Sequence, residues 1–151
     1  MKGWIRKSII AGSAGTVVHF LFMHLKSWTG LLPSFQPYLS FQIALSHWVG
    51  TNVPAIVPWV LSFLNGMTIL GFLFARINRL LPGKTGAAKG IIFGLIGWVF
   101  MGLVFFPLIG LGPFAMSVGS GFGPAVLSLL MLQTYSIVLG MVYAALAPRA
   151  L

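Results

Sequence analysis

With no Cys, Asp or Glu in this 151-residue chain, its three histidines are the first candidates to hold a transition metal or haem. His19 and His24 stand five residues apart in one apolar run, roughly 140° apart around a helix, so they do not pair on one face. Gly15 lies one turn before His19. A small residue there would let a flat macrocycle reach the backbone while the imidazole binds its metal. His19 and His24 are therefore the candidate cofactor-binding residues, with a haem or a chlorophyll-type pigment as ligand. The competing reading is a neutral imidazole hydrogen-bonding across helices or, for His24, to a lipid headgroup. His47 stands beside Trp48 in a short apolar stretch and reads as an interfacial residue.

What is missing excludes more chemistry than the histidines offer. Without carboxylates there is no acidic general base, nucleophile, proton carrier or hard-cation ligand. No Gly-x-Ser-x-Gly elbow is present to activate a serine. The lack of Cys removes disulfides, thiolate metal sites and thiol catalysis. No catalytic residue and no metal site are assigned, and the chain is expected not to be an enzyme. Asn65 and Gln133 each stand near the middle of an apolar run, where an unpartnered amide is costly. Both are expected to form interhelical hydrogen bonds of about 0.6–2 kcal/mol, with lining of a substrate path as the alternative.

These residues need elements to hold them, and the composition says which. Apolar residues make up 58% of the chain and charged residues 6%, against roughly a quarter charged in a soluble domain. Four apolar segments run over about 8–25, 54–74, 87–109 and 124–147. At ~1.5 Å per residue, ~20 residues cross the ~30 Å hydrocarbon core. The runs are apolar on all sides and lack ten-residue alternation, which favours helices over barrel strands. The first run follows a basic start, as a cleavable leader would, but it keeps His19 and His24 and has no small-x-small cleavage site. It is expected to be a retained first helix.

The cations set the expected orientation. Lys2, Arg6 and Lys7 precede the first segment, Arg76, Arg79, Lys84 and Lys89 lie between the second and third, and Arg149 follows the fourth. Only Lys26 falls in the remaining loops, so the positive-inside rule places both termini in the cytoplasm. A net charge of +9 would suggest nucleic acid in a soluble protein. Here the charges sit at the ends of apolar runs, so no nucleic acid is expected. The expected contacts are anionic phospholipids and other membrane protein subunits. Arg76, Arg79, Lys84 and Lys89, around Leu81-Pro82-Gly83, are the candidate contacts for either. Between the first two spans, Pro33 and Pro37 prevent a continuous helix. Tyr38, Phe41, Leu45, Trp48 and Val49 then recur at helical spacing. This predicts a short interfacial helix over 38–49 with Trp48 at headgroup level.

An internal repeat organises the whole. Lys7-Ser-Ile-Ile-Ala-Gly-Ser-Ala-Gly-Thr-Val matches Lys89-Gly-Ile-Ile-Phe-Gly-Leu-Ile-Gly-Trp-Val at Lys, both Ile, both Gly and Val. Gly30-Leu31-Leu32-Pro33 echoes Gly110-Leu111-Gly112-Pro113, and Leu70-Gly71 with Ala75 echoes Leu139-Gly140 with Ala144. The expected fold is all-α and integral to the membrane: four transmembrane helices as two parallel-repeated helical hairpins, plus the interfacial helix, in a single domain over 1–151. Small residues mark the packing faces. Gly86, Gly90, Gly94 and Gly102 align on the third helix with Trp98 in the fourth place, Ser136, Gly140 and Ala144 on the fourth, and Ala11 and Gly15 on the first.

Lys89-Gly90, Leu81-Pro82-Gly83, Pro107 to Gly110 and Leu139 to Tyr143 together give a pattern that resembles an uncharacterised family of bacterial four-helix membrane proteins of about this length. The resemblance implies a polar aromatic, often His, in the second and fourth helices, where this chain has Ser62 and Gln133. It implies no activity. A bacterial cytoplasmic membrane is the location it suggests. The leading functional expectation is a non-catalytic accessory subunit of a larger respiratory or photosynthetic electron-transfer complex. A small transporter or channel, as a homodimer, comes second, and a haem or pigment carrier third.

Overall fold

A chain in hydrocarbon must satisfy its own N–H and C=O groups, and a helix does so within one segment. The computed structural model, which describes residues 3–147, contains helices and no strand among the described residues. Lys2 and Arg149 lie outside the described residues. Four helices are long and apolar enough to cross a membrane: α1 (Gly3–Thr29), α3 (Ile56–Ile77), α4 (Gly86–Leu108) and α5 (Gly123–Ala145). The short α2 (Pro37–Val49) joins α1 to α3, and a 3₁₀ segment (Pro113–Val118) joins α4 to α5. Each span lies within a few residues of its expected place. Helix α1 exceeds expectation at both ends: Arg6 and Lys7 extend its start on long stems that carry their charge outward, and Lys26 lies buried in its last turns.

Helix α1 stops where Gly30 turns left-handed at φ 67°. The Gly30 N–H donates to the Ser27 carbonyl (3.3 Å) and the Leu31 N–H to the Lys26 carbonyl (3.2 Å), a Schellman ending. Helix α4 ends the same way at Gly110 (φ 86°). There the Gly110 N–H donates to Pro107 (3.1 Å) and the Leu111 N–H to Phe106 (2.9 Å). The following turns also match, with Phe35 N–H on Leu32 and Ala115 N–H on Gly112, both at 3.0 Å. At their first position Leu32 holds a positive φ of 46° where the second turn has Gly112 at 74°.

Two spans contain a wider π turn, Asn65–Leu70 in α3 and Met101–Phe105 in α4. The turn in α4 precedes Pro107, which has no N–H and would collide with a regular α turn. In α3 the turn includes Gly66, whose carbonyl accepts the Tyr135 hydroxyl at 2.6 Å.

Glycine decides the packing. On α4, the line Gly86, Gly90, Gly94 faces α5: a Cβ on Gly90 would sit 3.0 Å from the Ile137 Cα, and one on Gly94 2.8 Å from Gln133 Nε2. Gly86 and Gly140 meet backbone to backbone. Trp98 continues the line and donates Nε1–H to the Ala125 carbonyl and Ser128 Oγ, both at 3.1 Å. Helix α1 touches α3 through Gly12 at Met67 and through Gly71, where a Cβ would lie 2.7 Å from the Ser8 carbonyl oxygen. It touches α5 through Gly15 at Tyr135. Close backbone approach of this kind is how membrane helices gain dispersion contacts. One core cluster, around Phe35, Phe106, Leu127 and Met131, fills the end that carries α2. The other, around Phe74, Phe93, Tyr135 and Leu139, fills the half nearer the lysines and arginines.

Candidate functional site

Polar chemistry gathers beneath α2. Pro37 occupies the first turn of α2, where a missing N–H costs nothing, and Tyr38 follows it with its ring turned toward the core. The Tyr38 hydroxyl lies 3.0 Å from His19 Nε2 on α1 and 2.9 Å from Ser62 Oγ on α3. His19 Nδ1 lies 3.2 Å from the Met131 carbonyl of α5. A carbonyl only accepts, so in the neutral ring Nδ1–H donates to Met131 and Nε2 accepts from Tyr38. The Tyr38 oxygen then accepts from Ser62. Burial pushes the Tyr38 hydroxyl up to about 12, against the opposing effect of the Ser62 bond, so it stays protonated as this chain of bonds requires. Four helices are thus tied by three hydrogen bonds through one imidazole and one phenol.

Aromatic rings surround the knot. Trp59, one residue past Pro58 in the first turns of α3, stacks with Tyr38 (centroids 3.9 Å, planes 10° apart) and with His24 (5.5 Å, 7°). Phe20 meets Trp59 edge-on at 5.2 Å. Next to this stack opens a cleft of about 470 Å³, within the size range of small-molecule sites. His24, Lys26, Ser27, Gln42, Tyr38 and Trp59 are among its lining residues.

The cofactor candidates occupy different settings. Both ring nitrogens of His19 carry hydrogen bonds, so an axial metal would have to displace Tyr38 from Nε2. His24 is exposed and held flat against Trp59. The two histidines meet the same Tyr38–Trp59 pair rather than each other. His19 therefore does not fit as an axial ligand as it stands, whereas His24 lines the cleft with its ring stacked on Trp59. Gln133 reaches across to α4 and donates Nε2–H to the Ile91 carbonyl at 3.2 Å. Asn65 opens the π turn of α3 and is exposed, with no side-chain hydrogen bond to another described residue. Trp48 is exposed on the last turn of α2. At the opposite end of the bundle, Arg76 lies over the Trp4 ring at 5.9 Å from its centroid, and Arg79 and Lys84 are exposed. Lys89 is half-buried and donates to the Asn78 carbonyl at 2.8 Å, closing the end of α3.

Two residues of consequence carried little sequence signal. Trp59 has no spacing that ties it to His24 or Tyr38. Tyr135 stands alone in α5, and only the rarity of Tyr in this chain, three in all, sets it apart. Lys26 did carry a signal as the single cation of its loop, which marks it as something other than a topology determinant. No curated protein and no solved structure matches the chain. The model of a family of unknown function, DUF6789, matches residues 3–150, and the chain belongs to that family.

Proposed function

We propose that this protein is a non-catalytic accessory subunit of a larger membrane complex, set in a bacterial cytoplasmic membrane with both termini on the cytoplasmic side. Its two helical hairpins, α1 with α3 and α4 with α5, stand as parallel repeats. The matched Schellman endings at Gly30 and Gly110 support the repeat, as does the close backbone approach of Gly71 to Ser8 and of Gly140 to Gly86 and Gly90. Respiratory or photosynthetic electron transfer is the setting that a chain without catalytic carboxylates suits best. Its work there is to fill a gap between subunits, hold lipid or quinone, and stabilise assembly.

The observation that carries this reading is how little of two helices the chain covers for itself. Only 17% of the most apolar window of α3 and 22% of that of α4 is buried within the chain, against 44% for α5. Large apolar side chains such as Leu95, Val99, Phe100 and Leu103 stand exposed along α4. The outer faces of α3 and α4 are available for lateral packing, and Arg76, Arg79, Lys84 and Lys89 offer charge to an acidic neighbour or lipid. The transporter alternative needs polar faces of α3 and α5 to meet. Asn65 is exposed while Gln133 is bonded to α4, which favours the accessory reading.

Affinity purification of the tagged chain from its native membrane in mild detergent tests the proposal. Stoichiometric oxidase, reaction-centre or cytochrome subunits are expected to accompany it. A homogeneous preparation with no stoichiometric partner would overturn it and make liposome flux the next assay.

A further inference from the structure

We propose that the cleft beneath α2 binds the phosphate group of an anionic phospholipid, with Lys26 as its charged contact. The inference rests on membrane placement alone and is independent of any partner complex. Lys26 is only 7% exposed, yet it lines the cleft. Its Nζ donates to the Leu32 carbonyl at 3.2 Å and lies 5.8 Å from the Phe35 ring centroid. An ammonium has three N–H donors, so the Leu32 carbonyl satisfies one of them. The sequence has no Asp or Glu to neutralise the charge. Within the described residues the ammonium meets only the Leu32 carbonyl and the Phe35 ring, so an anion entering the cleft would supply the charge partner it lacks.

The fold itself does not call for a lysine here. The matched ending of α4 places Phe106 where α1 has Lys26, since each residue's carbonyl accepts the equivalent bond. Phe106 is 1% exposed and packs edge-on against Phe35 at 5.8 Å. One copy of the turn is thus sealed by a ring, and the other is left with a cation and an open cleft. The same copy keeps Leu32 in a left-handed conformation that its counterpart assigns to Gly112, a strain that persists where the surroundings enforce it. That conformation presents the carbonyl that Lys26 grips.

The rest of the cleft suits a lipid headgroup. His24 and Ser27 line it without a side-chain hydrogen bond to another described residue, leaving donors for phosphate oxygens. The Tyr38–Trp59 stack forms a flat wall fit for the glycerol and upper acyl carbons. The cleft opens at the end of a span, beside α2 with its exposed Trp48, which is the depth of phosphates.

Native mass spectrometry of the delipidated chain in detergent, titrated with phosphatidylglycerol, reads the site directly. One lipid is expected to bind more tightly than the rest. Lys26→Met keeps the stem and removes the charge, and should weaken that lipid about tenfold or more, while Lys26→Arg should retain it. Ala55→Trp, which narrows the cleft without touching Lys26, should also lose it and guards against a folding defect in Lys26→Met. Unchanged titrations for both Lys26→Met and Ala55→Trp would overturn the proposal. Displacement of the lipid by an equal concentration of inorganic phosphate would also overturn it, by making this a solute site.

Discussion

Tyr135 shows how one hydroxyl can hold a helix out of its regular path. Gly66 lies in the π turn of α3, and its carbonyl accepts the buried Tyr135 O–H at 2.6 Å. Tyr135→Phe leaves that carbonyl without its partner in a dry interior. It should cost about 1–3 kcal/mol, read as a lower melting temperature in detergent with the fold retained. An unchanged melting temperature would mean that the turn is held by packing alone. At this scale the sequence tells types and not partners. His19 was recognisable as a buried imidazole that needs satisfying, but its donor and acceptor come from Tyr38 and Met131, on other helices. Gln133 was recognisable as an interhelical amide, whereas Asn65, chemically its twin, faces outward because no other helix covers that side of α3.

The elements were far more legible, because hydrocarbon solvent imposes a length and a composition that are visible without any contact. All four spans fall within a few residues of the apolar runs, and α2 covers the stretch that helical spacing outlined. The π turns were not legible, since they answer to Pro107 in one case and to a tyrosine on another helix in the other. The glycine line of α4 was visible as a stripe, but only the structure says that it serves α5. Gly90→Leu drives a branched side chain into the Ser136 carbonyl and the Ile137 Cα. It should separate α4 from α5 and abolish the folded, monodisperse peak in size-exclusion chromatography. The same change at Gly110, where a Cβ would meet nothing, should preserve the peak and cost only the strain of its left-handed φ.

Over the whole molecule, the charge pattern makes the firmest claim open to direct test. The chain has no native Cys, so single introduced cysteines report topology cleanly. Thr51→Cys, in the exposed turn after α2, should react with an impermeant maleimide added to intact cells. Lys84→Cys, between α3 and α4, should react only after lysis. The reverse pattern would invert the orientation and place the Lys26 cleft on the cytoplasmic face. Function was the least legible level, because the exposed apolar side chains of α3 and α4 carry no pattern that names what lies against them.

Helix α5 is the element with the most of its apolar window covered, and it touches α4 along one glycine line and α1 at Gly15. It also leaves the ribosome after α1, α3 and α4. Until it arrives, Gly12 of α1 already has α3 to lie against, while Gly15 and the whole α4 stripe wait as bare grooves. The molecule is therefore built like an arch, whose closing stone is set at the end and locks pieces that were placed before it.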